Sequence, residues 1–114
     1  WGLEIQCTDV AVYSPVLTGV VMPEGIDADV VRKIIYEKFD TSLGMGLGKV
    51  KGKLFRIGHL GECNDGSLMG TLCAVEMGLS LAGVALKGSG VVAAMEVLKA
   101  PLASAQPSAL KIAA

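Results

Sequence analysis

Arg56 stands inside a short apolar run, Leu54-Phe-Arg-Ile-Gly58, directly after a glycine-studded stretch that carries three lysines. Between Thr41 and Gly61 the chain gathers Gly44, Gly46, Gly48 and Gly52, the lysines Lys49, Lys51 and Lys53, then Arg56 and the single histidine, His59. Read as a strand, the run puts Leu54, Arg56 and Gly58 on one face and Phe55, Ile57 and His59 on the other. The Phe55/Ile57 side reads as core, so Arg56 points the opposite way, beside a glycine that leaves room at its guanidinium. A planar, permanently charged fork on a strand suits a carboxylate or a phosphate. A structural ion pair with an Asp or Glu is the plain competing reading.

The neighbouring groups do not complete a catalytic set. Gly44-Met-Gly-Leu-Gly48-Lys49 matches neither G-x-x-x-x-G-K-[ST] nor G-x-G-x-x-G. A strand follows it rather than a helix, so no helix N-terminus faces an anion. It reads as a mobile loop bordering a site completed elsewhere. His59 faces away from Arg56 by strand parity and reads as a hydrogen-bonded turn residue, with no nucleophile beside it. The three lysines read as solvated, because nothing nearby supplies the desolvated or electropositive surroundings that activate a lysine. Cys7, Cys63 and Cys73 show neither C-x-x-C spacing nor a histidine pair. Reduced thiols and no metal site are therefore expected. From the residues alone the site is an anion-binding arginine without catalytic partners.

Around this stretch the patterning predicts a small α+β layer, a mainly antiparallel sheet with helices on one face. A weak strand covers Leu3 to Cys7, and a stronger one Val16 to Met22, apolar on both alternating faces as in a strand covered on both sides. Asp27 reads as the N-cap of an amphipathic helix, with Ile26 and Val31 as a hydrophobic staple. Its stripe is Ile26, Val30, Val31, Ile34, Ile35 and Phe39. Asn64 or Asp65 can cap a second helix with Leu68, Leu72, Val75 and Leu79 on one side. From Leu68 to Leu86 the only charge is Glu76. A membrane span there is disfavoured by that carboxyl and by Gly70, Thr71, Gly78, Ser80 and Gly83. A helix apolar nearly all round reads instead as buried from two sides, by this domain's sheet and by a further domain or subunit. A third helix covers Val91 to Lys99 and is expected to stop at Pro101, leaving residues 101–114 as a loose tail.

The totals fit one domain with surface to spare for an interface. Of 114 residues, 52% are hydrophobic and 18% charged, against a typical charged share of about 25%. Such surplus apolar surface marks contact with another domain or subunit. A net charge of −1 lacks the basic stripe that nucleic acid calls for. No charged segment followed by an apolar one suggests a signal peptide, and a portion preceding Trp1 is expected.

Three segments carry a family resemblance: Met22-Pro-Glu-Gly-Ile-Asp-Ala-Asp29, Phe39-Asp-Thr-Ser-Leu-Gly-Met-Gly-Leu-Gly48 and, above all, Phe55-Arg-Ile-Gly-His-Leu-Gly-Glu-Cys-Asn-Asp65. Together they resemble the C-terminal small domain of class V (fold type I) pyridoxal-phosphate aminotransferases, in the serine–glyoxylate and alanine–glyoxylate branch. The resemblance runs from about Gly2 to Val84. It implies a small domain over residues 1–100 and a transaminase moving an amino group from serine or alanine to glyoxylate. It also implies that Arg56 grips the substrate α-carboxylate. Pyridoxal phosphate, its lysine and its other ligands would belong to a large domain of the same chain, so this portion carries no catalytic or cofactor-binding residue and is inactive alone. A cytoplasmic homodimer is implied, touching neither nucleic acid nor membrane, and the terminal Lys-Ile-Ala-Ala is no Ser-Lys-Leu address. Met45 and Glu62 depart from the branch's pattern, leaving the amino donor open. On the residues alone, a stand-alone module binding a carboxylate metabolite through Arg56 is the alternative. A membrane-associated subunit built on residues 68–86 is the third.

Overall fold

The computed structural model describes residues 1–103. The strands are β1 (Glu4–Ile5), β2 (Leu17–Val21), β3 (Gly44–Met45) and β4 (Leu54–Gly58), and the helices are α1 (Ala28–Phe39), α2 (Asp65–Leu81) and α3 (Gly90–Ala103). The sheet runs β1-β2-β4-β3 with every neighbouring pair antiparallel. Helices cover one face of it. This is the expected α+β layer.

α1 starts where predicted. Asp27 adopts extended backbone and its side chain accepts from the Asp29 N–H at 2.8 Å. The Ala28 N–H donates to the Gly52 carbonyl at 2.9 Å, which ties the glycine stretch to the start of α1. Gly52 has φ +75°, a region that costs a side chain dearly. The buried stripe is narrower than the apolar pattern suggests. Ala28, Val31 and Ile35 are buried, whereas Val30 is 55% exposed. Val30 lies about 100° around the helix from Val31, and one flat sheet face cannot cover both.

α2 begins with a capping box. Asn64 accepts from the Ser67 N–H at 2.9 Å, and Ser67 Oγ accepts from the Asn64 N–H at 2.9 Å. Asn64 rather than Asp65 is therefore the cap. The helix buries Ala74, Val75, Gly78 and Leu79 and leaves Met77 and Leu81 exposed. Among the described residues one side is covered, and the open side is the one expected to meet a further domain or subunit. Gly78 allows close contact with α1, since a Cβ there would overlap the Ile35 side chain. Phe55, Ile35, Leu79, Val31 and Val75 are essentially inaccessible and form the centre of the core.

β2 lies inside the sheet, but only one of its faces is sealed. Val20 is buried, while Leu17, Gly19 and Val21 on the opposite face are half-buried, correcting the two-sided expectation. α3 contains no buried residue and continues through Pro101 to Ala103, two residues beyond the expected stop. Proline removes the N–H that would reach back four residues. The remainder of the expected tail, residues 104–114, lies outside the described residues. No helix of the described residues is long and apolar enough to cross a membrane.

Candidate functional site

β4 carries Arg56 at its centre. In the sheet register Arg56 lies opposite Gly19 of β2 and Gly44 of β3, so neither flanking strand presents a side chain beside it. The sequence suggests Gly58 as the source of this room, but the cross-strand glycines supply it. Gly44 is the tighter of the two: a Cβ there would stand 3.1 Å from both Cβ and Nε of Arg56. Arg56 Nε donates to the Met45 carbonyl at 2.8 Å. Leu17, Leu47, Val50 and Leu54 line an apolar groove with Arg56. Low local polarity strengthens any ion pair the guanidinium makes.

The only other arginine shows what full structural engagement looks like. Arg32 Nη1 pairs with Asp29 Oδ1 at 2.9 Å, and its Nε donates to the Leu43 carbonyl at 2.9 Å. Arg56 forms no ion pair among the described residues, so the structural reading of its charge is not realised there. Its Nη1/Nη2 edge remains available to a ligand.

His59 behaves as expected of a turn residue on the helix side of the sheet. Its Nδ1 lies 3.1 Å from the Pro15 carbonyl, and its Nε2 2.9 Å from Thr18 Oγ1. A carbonyl only accepts, so Nδ1 donates there, and Nε2 shares the second hydrogen bond with the Thr18 hydroxyl. Both ring nitrogens are occupied in holding the start of β2. Met45 pairs with Phe55, which places its side chain on the face opposite Arg56. Its departure from the expected residue type therefore does not crowd the guanidinium.

The glycine stretch is more ordered in form than a plain loop. Gly44 and Met45 belong to β3, and Gly48–Val50 form a 3₁₀ turn in which the Lys51 N–H donates to the Gly48 carbonyl at 3.2 Å. Lys49, Lys51 and Lys53 are exposed, as is every other lysine among the described residues. An aldehyde cofactor needs a sheltered lysine, and the described residues hold none. Among these residues no three His, Cys, Asp or Glu side chains gather to hold a metal.

Sequence reading missed one polar cluster. Glu76 of α2 accepts from Trp1 Nε1 at 2.6 Å, Ser89 Oγ at 2.7 Å and the Val91 N–H at 2.9 Å. Burial pushes its pKa up, but the hydrogen bonds from Ser89, Val91 and Trp1 outweigh it and hold the carboxyl below its usual value. The carboxylate sits at the start of α3, where helix dipole and open N–H groups favour a negative charge. Its role is to fasten α3 and the N-terminal segment to α2. Partners 13 to 75 residues away leave no local mark that could have found it.

No family model matches the chain. Curated relatives do. A serine–glyoxylate aminotransferase from Hyphomicrobium methylovorum is 45% identical over 97 residues, 84% of this chain and 24% of that protein. An L-aspartate–glyoxylate aminotransferase from Paracoccus denitrificans is 37% identical over 110 residues, 96% of this chain and 28% of that protein. Among solved structures, pyridoxamine–pyruvate aminotransferase from Mesorhizobium loti superposes with a TM-score of 0.80 at 30% identity, covering 88% of this chain and 26% of that one. The chain thus spans about a quarter of the length of the curated relatives it matches. The antiparallel sheet with helices on one face matches solved structures of the pyridoxal-phosphate aminotransferase family. Within that family the chain matches the C-terminal part of the serine–glyoxylate and alanine–glyoxylate aminotransferases.

Proposed function

We propose that the full-length protein is a pyridoxal-phosphate-dependent transaminase that moves an amino group from serine or alanine to glyoxylate. This domain supplies Arg56 to hold the substrate α-carboxylate. The observation that carries the reading is the state of that side chain: fixed on an inner strand, free of any ion pair among the described residues, and open at its Nη1/Nη2 edge. Glyoxylate as acceptor is supported by the names of relatives with different donors, which is also why the donor is the less constrained half.

Within the domain the work is binding and orientation. Arg56 makes two parallel charge-assisted hydrogen bonds to the carboxylate, which fixes both the position and the plane of the substrate. The adjoining apolar residues withhold water from the pair. The cofactor, held by the large domain, supplies the electron sink for the chemistry. The apolar surface left on α2, α3 and the Val10–Val12 turn supports contacts with that domain and with a second subunit in a cytoplasmic homodimer.

Arg56→Ala in the full-length enzyme tests this. Loss of a bidentate charged pair should cost about 3 kcal/mol, roughly a 100-fold rise in KM for the amino donor. The cofactor's absorption and occupancy should stay unchanged. An unchanged KM would sink the role of Arg56. A colourless full-length protein indifferent to pyridoxal phosphate would sink the transaminase reading and favour a stand-alone carboxylate-binding module.

A further inference from the structure

The geometry points to a division of labour around the Arg56 guanidinium, in which the Met45 carbonyl and the bare Cα of Gly44 turn its Nη1/Nη2 edge toward the ligand. Gly44 is then a positioning residue. This rests on the reading that Arg56 holds a carboxylate.

A guanidinium can meet a carboxylate in two bidentate ways, through Nε and one Nη or through both Nη atoms. Nε carries a single hydrogen, and it is donated to the Met45 carbonyl at 2.8 Å. The side-on mode is therefore closed and the end-on mode remains. The acceptor is backbone, so it holds whatever side chain stands at position 45.

Gly44 sets the plane of the group. Its φ is not positive, so an alanine could adopt the same strand conformation, and glycine is there for space rather than for backbone freedom. An added Cβ would sit 3.1 Å from Arg56 Cβ, 3.1 Å from Nε and 3.5 Å from Cζ. It would press on the arginine along its length and lever the fork away from the Met45 carbonyl. The glycine on the other flank does not act this way. A Cβ at Gly19 would meet Gln6 at 3.2 Å and Leu54 at 3.7 Å, not Arg56. The constraint is one-sided, and β3 imposes it.

The test is a double-mutant cycle in the full-length holoenzyme, with serine and alanine as donors. Gly44→Ala should raise donor KM about tenfold while kcat changes less than about twofold, the mark of lost uniform binding. Added to Arg56→Ala, it should change KM less than about twofold, because nothing is left to position. A further tenfold rise in that background would overturn the inference and make Gly44 a residue of the strand alone. If Arg56→Ala is impaired but Gly44→Ala matches wild type, this inference fails and the carboxylate role stands. If Arg56→Ala itself leaves KM unchanged, the underlying role fails instead. Should Gly44→Ala not fold, Arg56→Lys decides. A lysine cannot hold the Met45 carbonyl and present a fork at once, so its KM should resemble that of Arg56→Ala. Recovery to within about twofold of wild type would refute the edge assignment.

Discussion

Replacing Gly78 by alanine inserts one methyl group where α1 and α2 meet, and its consequence can be worked from the packing. The new Cβ would overlap Ile35 Cγ1, with Cδ1 at 3.1 Å and Cβ at 3.4 Å. The struck atoms belong to a fully buried side chain, so Ile35 has no free space to move into. Forcing a methylene into such a core costs about 1–3 kcal/mol. Alanine for glycine inside a helix returns about 0.5–1 kcal/mol. The net expectation is a loss of up to about 2.5 kcal/mol, centred near about 1 kcal/mol, a fall in Tm of several degrees for a chain this size. Urea unfolding followed by far-ultraviolet circular dichroism measures it. The sign should reverse in an Ile35→Ala background. That change alone should cost about 2–5 kcal/mol, but it removes Cγ1 and Cδ1, so Gly78→Ala should then be neutral or stabilising. If Gly78→Ala stabilises the parent chain, or destabilises both backgrounds equally, the two helices do not touch at Gly78 and the reasoning is wrong.

Two further changes probe the helix ends. Asn64→Ala removes the side-chain acceptor of the Ser67 N–H at the start of α2, while the backbone N–H of residue 64 keeps Ser67 Oγ; it should lower stability by about 0.5–2 kcal/mol, read from the same denaturation midpoint. Glu76→Ala strands the donors of Trp1, Ser89 and Val91; water can reach this partly exposed site, so the expected loss is about 1 kcal/mol, with faster hydrogen exchange concentrated in α3. The same carboxyl gives a pH signature. Its folded pKa lies below the unfolded value, so its contribution is complete above the ordinary carboxylate range, about 4.3, and fades as pH falls through the folded value. Stability of the parent and Glu76→Gln chains should therefore converge in acid. A gap independent of pH would show that Glu76 acts through shape rather than charge.

Much of the fold was legible because its periodicities are short. Alternation over Leu54–Gly58 placed Phe55 and Ile57 in the core and Arg56 outside it, and an acidic cap before an apolar stripe located α1. Local pattern misled where one residue type serves two purposes. Val30 looks like core by its chemistry but stands too far round the helix, whereas Ala28, fully buried, gives too weak an apolar signal to notice. Glycine was the least readable residue. In α2, Gly78 looked like dilution of an apolar run but is the point of closest helix contact. In the loop, Gly44 looked like freedom, yet it is a strand residue chosen for its emptiness. Glu76 was seen as a cost to burial, because the groups that satisfy it come from distant parts of the chain. The candidate site was legible as one residue and a resemblance; its supporting geometry was not.

The mounting of Arg56 has a mechanical meaning. β4 is hydrogen-bonded along both edges, to β2 and to β3, and its reverse side is welded to the core through Phe55 and Ile57. No hinge lies between the guanidinium and the bulk of the domain except the side chain itself, and that is tethered at Nε. Whatever tilts or translates this domain carries the charged fork with it, undamped, like a tool fixed to a handle. Adjusting the grip on a ligand by more than a bond rotation would have to be done by moving the whole sheet.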